Sequence, residues 1–131
     1  DIVSRRHIRW IEHCTAGLKW HRPAQAAEFL DHVADVVAGM SGCDLILYQA
    51  GADPHVDDPL GGWLTTGQLR ERDRRVFAAA AEWQVPVAWN LAGGYQRTAD
   101  GGIAPVLEIH RNTMLECAAR FAERSSDVCL S

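Results

Sequence analysis

Asp44-Leu45-Ile46-Leu47-Tyr48-Gln49 is a short apolar run that leads at once into Ala50-Gly51-Ala52-Asp53-Pro54-His55-Val56-Asp57-Asp58-Pro59-Leu60-Gly61-Gly62, a loop punctuated by glycine and proline. A run this short with so few polar residues predicts a buried strand. Upstream, Ser41-Gly42 turns the chain. Before that turn Ala26, Phe29, Leu30, Val33, Val36 and Val37 recur at helical spacing, between Pro23, suited to a first turn, and Gly39. Downstream, Thr65 and Gln68 have capping-box spacing and open a helix that turns Leu69, Val76, Phe77 and Ala80 inward. A second apolar run, Val85-Pro86-Val87-Ala88-Trp89-Asn90-Leu91, carries its proline at the start, where a missing ladder donor does least harm. Ala92-Gly93-Gly94-Tyr95 closes it. Beyond a polar loop through Gly101-Gly102, Pro105 leads into a last helix with Val106, Ile109, Thr113, Cys117 and Phe121. Residues Ile2 to Glu12 suggest one more short helix, with Ile8 and Ile11 on one face.

The order strand, helix, strand, helix predicts an α/β fold in which a parallel β-sheet is sandwiched between helices in three layers. The right-handed crossover makes the two strands parallel and places them close together. Ligands bind in such sheets outside the carboxyl ends of the strands. Asp53, His55, Asp57, Asp58 and Tyr95 are therefore expected on one rim.

The chain has 131 residues, of which 47% are hydrophobic and 23% charged, fitting a single domain over residues 1–131 rather than a disordered segment. Its net charge of −4 argues against direct nucleic-acid binding. Arg70, Arg72, Arg74 and Arg75 alternate with Glu71 and Asp73, which reads as a solvated helix face. No run approaches the ~18 apolar residues of a membrane span, and no signal peptide is visible. Cys14, Cys43, Cys117 and Cys129 have no metal-binding spacing. They read as small buried hydrophobes in a reducing, cytoplasmic setting. A start at Asp1 rather than methionine suggests a processed chain or a fragment.

Two loops could carry chemistry. Asp53, Asp57 and Asp58, with His55 among them, offer ligands for a divalent metal, although aspartate beside proline and glycine also simply makes turns. In Gly93-Gly94-Tyr95 the glycines allow backbone to approach a ligand and the phenol can donate to an oxyanion; the plainer reading is a turn with a packed ring. His7, His13, His21 and His32 have no ligating partner at helical spacing. His110, in the last helix, is expected to make a structural hydrogen bond, and Arg97 is expected to do nothing specific.

Together these segments resemble the C-terminal half of the histone deacetylase and acetylpolyamine amidohydrolase family, which has the arginase–deacetylase fold. The resemblance is carried by residues 44–53, by Asp58-Pro59-Leu60-Gly61-Gly62, by Leu64-Thr65-Thr66 with Arg72-Asp73-Arg74-Arg75-Val76-Phe77, and by Leu91-Ala92-Gly93-Gly94-Tyr95. It runs from roughly His21 to Glu123 and leans toward the class II and bacterial branches, although many class II relatives carry glutamate at the position of Ala92. The resemblance implies an incomplete arginase–deacetylase-like sheet and a zinc cofactor ligated by Asp53. It implies that Tyr95 polarises the scissile carbonyl and that Gly93 and Gly94 line the substrate channel. The implied substrate is an acetyl-lysine or a small acylated amine such as an acetylpolyamine. The family's other zinc ligands form an Asp-x-His motif, and a pair of adjacent histidines acts on the water. Both are expected upstream, and neither is expected in this chain, which alone should bind zinc weakly and hydrolyse nothing.

Two other classes compete. A non-catalytic α/β regulatory or interaction module would use its acidic rim for a metal or partner without chemistry. A metal-dependent phosphatase built on Asp53, Asp57 and Asp58 would lack a basic phosphate clamp. Because truncation should bare an apolar surface, self-association is expected.

Overall fold

A computed structural model describes residues 23–122. The helix expected over residues 2–12, together with His7, His13, His21, Cys14 and Cys129, lies outside the described residues. A 3₁₀ turn, Pro23–Gln25, leads into α1 (Ala26–Ala38), whose Ala26, Leu30, Val33 and Val37 form one buried stripe. The strand β1 spans Ile46–Gly51, the helix α2 Thr66–Glu82, the strand β2 Val87–Ala92 and the helix α3 Ala104–Phe121. The capping box forms as its spacing predicts. Gln68 N donates to Thr65 Oγ1 at 3.3 Å and Thr65 N donates to Gln68 Oε1 at 2.9 Å.

The two strands pair in parallel, from Ile46 opposite Val87 to Gly51 opposite Ala92. Both start two residues later than their apolar runs. Pro86 cannot donate, so the ladder opens where its carbonyl accepts from Ile46 N, 2.8 Å away. It closes where Ala52 N donates to Ala92 O at 2.9 Å.

Alternate residues of each strand face the helices. Ile46 packs with Val33, Val37, Val76, Ala80 and Val85. Phe77 sits at the centre, its ring edge-on to Tyr48, Trp89 and Phe121 at centroid distances of 5.8, 5.9 and 6.1 Å. A second cluster, Ala26, Ala52, Leu64, Leu69, Val106 and Ile109, lies under the loop that follows β1. The α/β class with parallel strands flanked by helices holds. Among the described residues, however, the helices cover one face only. On the other face Leu47 is 76% exposed, beside Gln49, Ala88 and Asn90. Burying a leucine is worth roughly 1.5–3 kcal/mol, a contribution that this face forgoes among the described residues.

The solvated face assigned to α2 needs correction. Arg74 and Arg75 pair with Glu71, Arg75 also with Asp31, and Arg70 with Glu116, all at the surface. Arg72 and Asp73 are instead buried. Asp73 accepts from Arg72 Nε at 2.8 Å, from Thr113 Oγ1 at 2.6 Å and from the Tyr48 hydroxyl. Burial pushes the Tyr48 phenol far above its ordinary range, more than the neighbouring Arg72 lowers it, so it stays protonated and donates. Arg72 reaches on to Gly51 O at 2.8 Å. The cysteine expectation also fails in part. Cys43 is exposed, while Cys117 is half-buried and its Sγ accepts from Trp89 Nε1 at 3.2 Å.

Candidate functional site

Parallel pairing in register fixes where the two strand-end loops emerge. Ala52 and Asp53 leave β1 beside Gly93 and Gly94 leaving β2, so the carboxylate and the tyrosine segment share the sheet's carboxyl edge. The glycines make that contact possible. A side chain at Gly93, whose φ is +57°, would put its Cβ 2.0 Å from Asp53 Oδ1. At Gly94, where φ is +95°, a Cβ would lie 2.6 Å from Val106 Cγ1 and 3.0 Å from Ala52 Cβ. Left-handed backbone and close approach both call for glycine here. The Asp53 carboxylate thus rests directly against the Gly93 backbone, half-buried. Among the described residues no hydrogen bond or ion pair engages it.

Tyr95 is 51% exposed, so its ring is not packed away as the plainer reading has it. Its backbone N–H donates to Asp58 Oδ2 at 2.7 Å, across 37 residues of chain. Asp58 is only 4% exposed, and its Oδ1 accepts from Leu60 N at 3.0 Å. Both its oxygens are therefore committed to backbone donors. Asp58 is a tie between loops and not the metal ligand that the acidic-loop reading offers.

His55 leaves the candidate set for a similar reason. Asp53-Pro54-His55 does have Asp-x-His spacing, correcting the expectation that this chain lacks it. His55 is nonetheless buried and turned into its own loop. Its Nδ1 accepts from Asp57 N at 3.1 Å, which places the ring proton on Nε2, donated to Thr66 Oγ1 at 3.0 Å. The histidine joins the loop to the start of α2, supported by Val56 N donating to Leu64 O at 2.8 Å. Asp57 is exposed, with one oxygen 3.8 Å from His55 Nδ1. Of the acidic loop, Asp53 alone combines a half-buried carboxylate with free lone pairs, since that of Asp57 stands in solvent.

A half-buried, unengaged carboxylate suits one position of a zinc or similar divalent site, and catalytic zinc takes three protein ligands. No group of three metal-ligating side chains occurs among the described residues. The described residues fit the metal as the donor of one ligand and do not by themselves complete a site. The remaining chemistry at this edge is a phenol O–H on a segment opened by two glycines.

Two residues at the site escaped the sequence reading. Arg72 grips Gly51 O just before the Asp53 loop, and its position could have been found. Leu69, Arg72, Asp73 and Val76 follow the three- and four-residue spacing of a single inward stripe. Gln96, beside Tyr95, is buried with its Nε2 unpartnered among the described residues, and no sequence signal marks it. Elsewhere, among the described residues, Arg97 Nη1 donates to Gln96 O at 3.1 Å, and His32 is half-buried with Asp35 4.0 Å away. The Nδ1 of His110 is buried and has no hydrogen-bond partner among the described residues. No helix among the described residues is long and apolar enough to cross a membrane.

The family model for the histone deacetylase domain matches residues 8–107, more than half of the chain. An uncharacterized protein of Picosynechococcus sp. is 32% identical over 90 residues, covering 68% of this chain and 28% of that protein. Histone deacetylase 2 of Arabidopsis thaliana is 31% identical over 80 residues, covering 60% of this chain and 21% of the plant protein. The alignments therefore span about a quarter of the length of these relatives. No solved structure matches.

Proposed function

This chain belongs to the histone deacetylase family, and on that premise we propose that it forms one wall of a zinc-dependent amidohydrolase site, whose remaining ligands and histidine pair come from polypeptide outside these residues. The observation that carries the reading is the unengaged Asp53 carboxylate, lying against Gly93 two positions before a half-exposed tyrosine. The substrate class is an N-acyl amide, either an acetyl-lysine or a small acylated amine such as an acetylpolyamine, cleaved to acetate and a free amine.

Asp53 donates one carboxylate oxygen as a metal ligand. Bound zinc supplies Lewis acidity toward the amide carbonyl and acidifies the attacking water. Tyr95 donates its O–H to the carbonyl oxygen as negative charge develops there, and loss of such a donor costs about 10²–10³ in turnover. Gly93 and Gly94 line the channel for the acylated arm with bare backbone, the space behind them being filled by Asp53, Val106 and Ala52. The acidic balance fits a small cationic substrate in the cytoplasm better than a direct grip on nucleic acid.

The test is made on the complete protein, with zinc content and acetyl-lysine turnover measured for the parent, Asp53→Ala and Tyr95→Phe. Asp53→Ala should lose metal. Tyr95→Phe should keep metal and lose turnover. Full activity in both variants removes the roles given to Asp53 and Tyr95, whereas a complete protein with neither zinc nor turnover leaves the non-catalytic module as the reading. The 131-residue chain by itself should bind zinc weakly and hydrolyse no acetyl-lysine, and its bare sheet face should make it self-associate, as sedimentation over a range of concentrations would read.

A further inference from the structure

We propose that Asp58 is a positioning residue, which sets where the Tyr95 phenol stands by holding that residue's backbone. The inference rests on the role given to Tyr95 above and adds the means by which the tyrosine is placed. Half of the Tyr95 side chain is in solvent, so packing does not fix it. The two residues before it are glycines at positive φ, with no side chains to anchor them. The anchor is the buried Asp58 carboxylate, with Oδ2 at 2.7 Å from Tyr95 N and Oδ1 at 3.0 Å from Leu60 N. Asp58 is itself held. Its N–H donates to His55 O at 2.9 Å, and its carbonyl accepts from Gly61 N at 2.9 Å. Hydrogen bonds from N–H to a carboxylate are charge-assisted and roughly twice as strong as neutral ones, enough to pin a glycine-flanked segment. Through this tie the loop after β1, which carries Asp53, sets the position of the segment after β2, which carries Tyr95.

The test uses the complete protein. Asp58→Asn keeps the size but leaves one acceptor oxygen for two donors. A displacement of about 1 Å at a reacting group costs on the order of 10² in rate. Turnover should fall by about 10- to 100-fold, with KM and zinc content unchanged. In a Tyr95→Phe background the same change should cost nothing further, because the group it positions is gone. An equal loss in both backgrounds, or loss of zinc, overturns the proposal. Asp58→Glu, which keeps the charge and displaces the oxygens, should show the same dependence on Tyr95 should Asp58→Asn fail to fold. A readout independent of activity is the Tyr95 amide. In the parent it should resonate downfield and resist hydrogen exchange, and free exchange there refutes the tie without any variant. Full activity of Tyr95→Phe alone would instead remove the role given to the phenol, while the amide measurement would still report the tie.

Discussion

Replacing Gly93 with alanine puts a methyl group where the Asp53 carboxylate lies. The new Cβ would stand 2.0 Å from Oδ1 and 2.7 Å from Cγ, whereas ordinary contact begins at 3.4 Å, so the carboxylate must retreat by about 1.4 Å. The backbone at φ +57° adds a separate cost, about 1–2 kcal/mol for a side chain held in the left-handed region. The two effects are separable because Gly101 supplies a control. It sits at φ +84° with nothing within 4 Å of its absent Cβ, so Gly101→Ala carries the strain without the collision. In urea denaturation both variants should lose about 1–2 kcal/mol. In the complete protein Gly93→Ala alone should lose zinc and about 10² in acetyl-lysine turnover, as expected for a ligand moved by more than an ångström. Equal turnover and zinc content in the two variants would refute the placement of Asp53 as a working group against Gly93.

Three further outcomes follow from the packing. Asp73→Ala leaves the buried Arg72 guanidinium without its counter-charge, a change that costs about 3–5 kcal/mol in comparable buried pairs; urea denaturation should show it, with Asp73→Asn losing less. Thr65→Ala removes the side-chain half of the α2 capping box and should cost about 1 kcal/mol, read by the same assay with far-UV circular dichroism. The hydrogen bond from Arg74, opposed by desolvation and aided by the hydrogen bond from Arg75, lowers the Glu71 carboxyl from 4.5 to about 2. Its stabilisation is present above pH 4.5 and is lost as the pH falls toward 2. These side chains are substantially solvated, so the contribution is under about 1 kcal/mol, and Glu71→Gln should flatten that part of a stability–pH curve.

The architecture was legible because it rests on local signals. The Thr65–Gln68 box, Pro23 ahead of α1, and the period of Val33, Val37, Val76 and Phe77 are set by neighbours three or four residues away. The convergence of Asp53 with the Gly93-Gly94-Tyr95 segment follows from parallel topology alone, since side-by-side strands must release their loops side by side. What stayed hidden depends on contacts distant in sequence. Asp58 and Tyr95 are 37 positions apart, and a lone aspartate in a turn gives no hint of which amide it will accept from. Asp73 looked solvated because its neighbours are charged, while its partners are Tyr48 in a strand and Thr113 in another helix. The face open at Leu47 among the described residues was equally unreadable, because an apolar strand does not say which of its two sides its neighbours will cover.

The chain's two tyrosines occupy opposite environments. Tyr48 has its oxygen sealed in the core against Asp73, while Tyr95 stands half in solvent at the sheet edge. Phenol nitration needs access to the ring and proceeds through the ionised oxygen, so Tyr48 should be inert while the fold persists. A single nitro group introduced at Tyr95 would then act as a coloured reporter at the rim, and its absorbance would follow whatever ion or amide docks there.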